Sequence, residues 1–279
     1  MTALRSLLFV PATRPDRFDK AFDAGADAVV IDLEDAVDAG SKAEARQTVG
    51  RWLAGTTTSG SARFVRVNAP GSAWLDEDLE WLPAVADRID AVVVPKVERA
   101  AAIERVADWA SGRRVVPLIE TARGVLHAPE ILTANAMIPA VLFGAEDLTA
   151  ELGIPRTLEG EELLLARSRV VLAAATIGAE PIDAVWTDLA YLDGLKRDAM
   201  RARALGFRGK MAVHPDQIAI INEVFTPSGV EIEAARRLIE ASERVPAAGG
   251  AFRLDDRMVD APVIKRARRV VALAESLER

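Results

Sequence analysis

One structural unit recurs eight times along the chain. It consists of a short β-branched apolar run, a polar or charged tip, and an alanine-rich stretch with apolar residues at helical spacing, such as Ile103, Val106 and Ala110. Strands that alternate strictly with helices form a parallel sheet with right-handed crossovers, and eight such units close into a barrel. The predicted strands are residues 5–12, 28–33, 63–67, 91–95, 115–119, 140–143, 184–186 and 209–213.

A doubly wound open sheet is the competing α/β fold. Its usual glycine-rich phosphate loop after the first strand is missing, because Pro11 follows Val10. We therefore predict a (β/α)8 TIM barrel over residues 1–225 and a C-terminal helical arm with a lid segment over residues 226–279. The arm has helical patterns at 230–244 and 261–277, and the Gly249-Gly250 pair between them marks a hinge or mobile loop.

Composition limits the classes of partner. A net charge of -7 and 5% aromatic residues argue against nucleic acid, although a local basic patch could still bind an anionic ligand. No apolar run approaches the roughly 18 residues of a membrane span, and the N-terminal apolar stretch is interrupted by Pro11, unlike a signal peptide. The absence of cysteine excludes disulfides and thiolate nucleophiles. We expect a cytoplasmic protein with no membrane partner.

Polar side chains stand where the predicted strands end, and the active site of such a barrel lies at those ends. Several acids and two or three basic groups would converge there, and crowded carboxylates repel one another unless a cation offsets their charge. Oxygen ligands, with no cysteine and only two histidines in the chain, favour Mg²⁺ or Mn²⁺ over zinc. The residues at the tips are Asp32, Glu34, Asp35, Arg66, Asn68, Lys96, Glu120, Arg123, Glu146, Asp147, Asp188 and His214.

The two carboxylates that follow strands five and six have two interpretations. Glu120 and Asp147 each come directly after an apolar run, where a charge is costly unless it is paired or coordinated. On the residues alone, metal binding and a structural ion pair are about equally supported. Lys96 has a rival role of its own, as a Schiff-base nucleophile.

The acids after strand two are expected to support the site. Arg66 could simply pair with Glu34 or Asp35, and these two acids could orient the site without direct chemistry. His214, at the end of strand eight, is also expected to have a supporting role.

Eight segments in order resemble the citrate lyase β-subunit and malyl-CoA lyase family of the HpcH/HpaI aldolase superfamily. The combination of LIETARG with FGAEDL is the specific part of the match, and the segments span nearly the whole chain. They are RSLLFVPATRPDRFDKA, AVVIDLEDAV, RFVRVNAP, VVVPKVE, PLIETARGV, LFGAEDLTAELG, GKMAVHPDQI and RMVDAPVIKRA.

The resemblance implies roles for individual residues. Glu120 and Asp147 match the family's metal-binding carboxylates, and Arg66 matches the arginine that contacts the keto- or hydroxy-acid portion of the substrate. Asp260 matches the lid aspartate that malyl-CoA-type lyases supply to a neighbouring subunit. One departure is Asp256, at a position that is often glycine in relatives. The resemblance also implies coenzyme A contacts at Phe9, Arg14 and Lys20, and substrate contacts at Arg66, Gly144, Ala145 and Glu146.

The activity implied is Mg²⁺-dependent cleavage or formation of a 3-hydroxyacyl-CoA, such as malyl-, citramalyl- or citryl-CoA, with acetyl-CoA and a 2-keto acid as products. A homotrimer or homohexamer is expected, since the lid would serve a neighbouring subunit. The alternatives are a citryl-carrier-protein lyase subunit of a citrate lyase complex, a metal-dependent aldolase of free keto acids, and a catalytically silent scaffold.

Overall fold

The computed structural model describes residues 3–57, 60–134, 136–244 and 251–278. The chain forms two compact units, one over Leu4–Glu223 and a second built mainly from Val224–Arg279. The Gly249-Gly250 pair, predicted as a hinge, lies outside the described residues. In the described ranges, no helix is both long enough and apolar enough to cross a membrane.

The first unit contains the predicted barrel. Its eight parallel strands are hydrogen-bonded in chain order, and β1 closes the ring by pairing with β8 through Ser6, Leu7 and Leu8. The (β/α)8 prediction is therefore confirmed. The strands are β1 (Ser6–Pro11), β2 (Ala28–Asp32), β3 (Ala62–Arg66), β4 (Ala91–Val94), β5 (Arg114–Ile119), β6 (Ala140–Phe143), β7 (Glu180–Asp183) and β8 (Gly209–Ala212).

Helices follow the strands along the chain. Short 3₁₀ helices lie at Pro15–Arg17, Ala39–Ser41, Ala86–Arg88, Glu161–Leu163 and Pro215–Gln217. The α-helices are α1 (Phe18–Phe22), α2 (Lys42–Gly55), α3 (Leu75–Val85), α4 (Ala100–Trp109), α5 (Ala122–Ile131), α6 (Ala145–Leu152), α7 (Leu164–Ile177), α8 (Leu192–Leu205), α9 (Ile218–Phe225), α10 (Gly229–Glu243) and α11 (Ala261–Leu277).

The seventh strand was predicted too late in the sequence. Seven predicted strands differ from the observed ones by at most one residue at either end, but β7 is Glu180–Asp183 and not residues 184–186. Pro181 lies inside β7 and cannot donate to the ladder, so the segment lacks the usual pattern of a central strand. Asp188 is consequently not a strand-end residue: its Oδ1 accepts from the backbone N–H groups of Ala190 and Tyr191 and shapes the following loop.

Apolar side chains fill the barrel interior. Because successive side chains of a strand point to opposite faces, alternate residues of the strands face inwards, as Ala28 and Val30 of β2 do. The residues of this core are Leu4, Leu7, Ala28, Val30, Phe64, Ala91, Val93, Val116, Leu118, Ala140, Leu142, Ile182 and Met211.

A buried charge network joins β7 and β8 to α7 and α8. Lys210 Nζ donates to Asp183 at 2.7 Å and to Asp198 at 2.6 Å, and Arg167 donates to the same two carboxylates at 2.9–3.0 Å. All four side chains are buried. Burial alone would raise the pKa of Asp198, but Lys210 and Arg167 outweigh it and lower the pKa well below its usual value. The resulting stabilisation is present above about pH 4 and is lost as the pH falls towards the folded pKa.

The second unit contains a β-hairpin that the sequence did not predict. Strands β9 (Ala251–Leu254) and β10 (Arg257–Asp260) pair in antiparallel register. Asp255 and Asp256 connect them with positive φ values of 45° and 60°, which two-residue hairpin turns favour and which Asp adopts more readily than most residues. The turn therefore forms with Asp256, the residue at which the sequence departs from the pattern expected from the family resemblance.

Replacing Lys210 with methionine should leave the buried Asp183 and Asp198 with Arg167 between them and with Arg156 3.7 Å from Asp198. We expect Lys210→Met to lower the free energy of unfolding by about 3–5 kcal/mol, measured by urea denaturation. The control is Lys196→Met, which removes an exposed ion pair with Glu223 and should change the free energy by less than about 1 kcal/mol. Equal effects of the two substitutions would contradict the role of the network.

Candidate active site

Charged side chains converge at the C-terminal ends of β2 to β6. Arg66, the last residue of β3, is held by the neighbouring strand: its Nε and Nη2 donate to Asp32 at 2.7 and 2.6 Å, and Nη1 lies 2.8 Å from Oε2 of Glu34. The ring of Phe9 from β1 lies 5.3 Å from the guanidinium carbon. Burial alone would lower the pKa of Arg66, but Asp32 and Glu34 outweigh it and raise the pKa. Arg66 is thus a fixed positive charge.

Lys96, which follows β4, joins three carboxylates from two segments, the loop after β2 and the first turn of α6. Its Nζ lies 2.7 Å from Glu34, 3.1 Å from Asp35 and 3.5 Å from Asp147. Burial would lower the pKa of Lys96, but these carboxylates, chiefly Glu34, outweigh it and raise the pKa. A Schiff-base nucleophile needs a lowered pKa, so the ion pairs argue against that role. In the same set of ion pairs, Asp35 pairs with Lys96, whereas Glu34 contacts both Lys96 and Arg66.

The backbone of Lys96 has a second contact in the site. Its φ of 49° lies in the left-handed region, which is uncommon for a residue with a side chain, and its N–H donates to Oε1 of Glu120 at 2.9 Å. Glu120 follows β5 and is almost fully buried. One residue therefore binds Glu120 through its backbone and Asp147 through its ammonium group.

Gly144 gives Glu120 the space it occupies. A Cβ at Gly144 would lie 2.5 Å from both Cβ and Oε2 of Glu120, so any larger residue would collide with this side chain. Gly144 follows β6 and is the N-cap residue of α6, whose first turn contains Ala145, Glu146 and Asp147. The predicted substrate contacts at 144–146 therefore lie beside one predicted metal ligand and on the same turn as the other.

Burial and mutual repulsion favour protonation of the acids. Burial raises the pKa of Glu120 to about 8, and Asp147 adds to the shift despite the opposing charge of Arg66. Burial likewise raises the pKa of Glu34 to about 7, although Arg66 and Lys96 lower it. Both carboxylates are therefore costly to keep ionised at these buried positions, and groups with such shifts are candidates for a functional site.

Glu120 and Asp147 suit a hard divalent cation. Both supply oxygen ligands, and Lys96 already lies between the loops that present them. Across the described ranges, no group of three or more acidic or histidine side chains is arranged to hold a metal ion. Two protein carboxylates agree with Mg²⁺, which usually keeps several waters and takes one or two such ligands.

The predicted coenzyme A contacts differ in their surroundings. Phe9 is partly buried and lies against Arg66. Arg14 is exposed and pairs with Asp16 at 2.7 Å, and Lys20 is exposed in the last turn of α1. The two cations are thus presented to solvent on the segment that follows β1.

Two other predicted site residues cap helices. His214 accepts a hydrogen bond from the N–H of Asp216 through Nδ1, at the start of the 3₁₀ helix after β8. Asp260 belongs to the second unit, where its Oδ1 accepts from Val263 N–H at 3.2 Å and caps α11. Asp260 therefore caps α11 in the structure, and its catalytic role stays a prediction.

Two contacts of the site could not be read from the sequence. Asp32 ends β2 and pairs with Arg66 through both oxygens, a contact that follows from β2 and β3 being neighbours in register. Arg156, in the loop after α6, donates to Glu146 at 2.5 Å and to the carbonyl of Val185 at 2.7 Å. Its loop has no periodic pattern that indicates such a contact.

Comparison with known proteins agrees with this geometry. Residues 5–215 match the family HpcH/HpaI aldolase/citrate lyase. The chain is 39% identical to a citrate lyase subunit beta-like protein of Deinococcus radiodurans, with 96% of each chain covered. It is 33% identical to the mitochondrial citramalyl-CoA lyase of Homo sapiens, covering 98% of this chain and 86% of that protein.

A solved structure resembles the whole chain. It is the protein CitE from Mycobacterium tuberculosis in complex with magnesium, acetoacetate and coenzyme A, with a TM-score of 0.82, 36% identity and 98% of each chain covered. The family match extends over most of the barrel, and the relatives extend over nearly the full length. This protein is a member of the HpcH/HpaI aldolase/citrate lyase family.

Proposed function

We propose that this protein is a magnesium-dependent carbon–carbon lyase that cleaves or forms a 3-hydroxyacyl-CoA, such as malyl-, citramalyl- or citryl-CoA. Cleavage between the second and third acyl carbons yields acetyl-CoA and a 2-keto acid. The observation that carries the proposal is the pair Glu120 and Asp147, which lie at the ends of adjacent strands and both contact Lys96. The CitE complex contains magnesium, a keto acid and coenzyme A together, which supports this assignment.

Glu120 and Asp147 would hold the metal ion. When bound, Mg²⁺ supplies Lewis-acid polarisation of the substrate oxygen that becomes the keto group. Arg66 would bind the carboxylate or the developing oxyanion of the keto acid, because a guanidinium is always charged and offers several directed N–H donors. Asp32 holds two of these donors, so the orientation of Arg66 is fixed before the substrate enters.

The first turn of α6 would bind the other end of the keto acid. Backbone N–H groups at a helix N-terminus have no partners within the helix and favour anions. Ala145 and Glu146 provide these groups next to Glu120, and Gly144, whose own N–H donates to the carbonyl of Ile119 at 3.0 Å, provides the space beside them. Arg156 fixes this turn by holding the carboxylate of Glu146.

The proposal extends to the thioester carrier, the assembly and the compartment. We infer that Arg14 and Lys20 bind phosphates of coenzyme A, because both are exposed cations on one segment, and that Phe9 helps to shape the pocket. We also propose that residues 226–279 act as the lid domain, in a cytoplasmic homotrimer or homohexamer. A citryl group on a carrier protein and a free keto acid are the alternative substrates.

The direct test is product identification with purified protein and Mg²⁺. We expect acetyl-CoA and one keto acid from malyl-, citramalyl- or citryl-CoA, and loss of turnover after exhaustive EDTA treatment with recovery when Mg²⁺ is added. Full turnover after EDTA treatment would contradict the metal-dependent reaction. If the protein turns over only a citryl group on a carrier protein, or only a free keto acid, that compound is the substrate and the coenzyme A thioester is not.

Magnesium affinity should depend on pH. Glu120 has a raised pKa of about 8 in the metal-free protein, so below that pH a proton must leave before the carboxylate can bind the ion. We expect the Kd for Mg²⁺ to rise about tenfold for each pH unit below 8 and to level off above it. Titration calorimetry at pH 6 to 9 in two buffers of different ionisation enthalpy measures both the Kd and the released proton. A constant Kd without proton release would show that Glu120 is not a ligand.

Asp260→Asn separates catalysis from capping. Asparagine still caps a helix, so the melting temperature and Mg²⁺ affinity should stay near wild type. If Asp260 is the acid or base of the reaction, turnover should fall at least about 100-fold. Mixing it with inactive Glu120→Ala subunits should restore partial activity, because some sites then combine an intact barrel with an intact lid. Unchanged turnover in Asp260→Asn would leave only the capping role.

A further inference from the structure

Lys42 is a buried lysine that the proposed reaction does not use. It begins α2 and is 5% exposed. Its Nζ donates to two backbone carbonyls, at 2.8 Å to Leu33 and at 2.6 Å to Glu34, and lies 5.2 Å from the ring centroid of Trp74. A lysine usually keeps its ammonium group in water, so burial at this position needs a structural reason.

The two carbonyls belong to the turn that leaves β2. The N–H of Glu34 donates to Oδ1 of Asp32 at 2.9 Å, and the carbonyl of Glu34 also accepts from Val37 N–H at 3.0 Å. With Lys42 on the carbonyl side, both backbone polar groups of Glu34 are fixed. These hydrogen bonds fix the position of the Glu34 Cα atom and therefore the direction of its side chain.

The side chain of Glu34 lies between the two cations of the site. Oε2 is 2.8 Å from Nη1 of Arg66, and Oε1 is 2.7 Å from Nζ of Lys96. Glu34 therefore orients the arginine proposed to bind the keto acid and the lysine that contacts Asp147. A shift of its backbone would move both cations at once.

We propose that Lys42 is a positioning residue for the lyase reaction: by binding the carbonyls of Leu33 and Glu34, it holds the Glu34 carboxylate between Arg66 and Lys96. This inference rests on the proposed function. Lys42 itself lies behind the turn and touches Glu34 through the backbone, so it acts through Glu34 and not on the substrate. A small displacement of an active-site group lowers turnover by about 100-fold in typical cases.

The first test compares Lys42→Met with Lys196→Met, which removes an exposed lysine from the same barrel. Methionine keeps the apolar stem but removes the charge and the donors. We expect Lys42→Met to lower kcat about 10- to 100-fold while KM for the thioester changes less than about twofold. Lys196→Met should leave both constants unchanged. Lys42→Arg keeps the charge and N–H donors and should recover most of the lost kcat. If Lys42→Met does not fold, Lys42→Gln, which also lacks the charge, takes its place with the same expected loss of kcat.

A double-mutant cycle with Glu34→Gln tests whether Lys42 affects kcat through Glu34. If Lys42 acts through Glu34, Lys42→Met should change kcat less than about twofold in the Glu34→Gln background, because coupled residues are not additive. Additive losses, or turnover within twofold of wild type in Lys42→Met alone, would overturn the proposal.

A crystal structure of Lys42→Met separates this proposal from the proposed function. Displacement of Glu34 from Arg66 and Lys96 supports positioning, and retention of both contacts at wild-type distances overturns it, whatever reaction the enzyme catalyses. Inactivity of the wild-type protein on all three thioesters would contradict the proposed function alone.

Discussion

The active end of the barrel depends on how five crowded carboxylates are compensated. Asp32, Glu34, Asp35, Glu120 and Asp147 meet two cations, Arg66 and Lys96, so the formal balance is five negative against two positive charges, or -3. Burial is the main cause of the raised pKa values of Glu120 and Glu34, and Asp147 raises that of Glu120 further, so protonation relieves part of the excess. A bound divalent cation also offsets the excess negative charge, and it leaves the carboxylates ionised.

The barrel has a second charge cluster with a different balance. Arg167 and Lys210 each contact Asp183 and Asp198, and all four side chains are buried. Arg156 lies 3.7 Å from Asp198 as a third cation, so the cluster has no acidic excess. Lys210 and Arg167 favour the ionised form of Asp198. The cluster contributes to the packing of β7, β8, α7 and α8, whereas the acidic excess at the ends of β2 to β6 is suited to binding a cation.

The sequence was sufficient for the fold because strand-and-helix alternation is a local pattern repeated eight times. It failed at β7, where Pro181 interrupts the pattern, and at the β9–β10 hairpin, whose four-residue strands carry mostly polar or exposed side chains. The residues at the strand ends could be predicted because β-strand ends share one side of a barrel. Their partners could be predicted only in part. The pair of Arg66 with Glu34 was one of two alternatives, with Asp35 as the other, and it is present. The contact of Arg66 with Asp32 depends on strand register, and the contact of Arg156 with Glu146 depends on a loop without periodicity.

Lys96 illustrates how the same residue type can serve opposite chemistries on one fold. Imine formation needs a neutral amine, which an apolar or cationic environment favours. Here the ammonium group lies among Glu34, Asp35 and Asp147, and these acids keep it protonated. Its backbone has a positive φ, which directs the N–H to Glu120 while the side chain contacts the other acids. The positive φ of Lys96 directs its N–H to one acid, and the raised pKa of its side chain keeps the ammonium group charged beside the others. Both properties therefore stabilise the carboxylates of the site. That arrangement favours metal-assisted cleavage over a covalent intermediate on lysine.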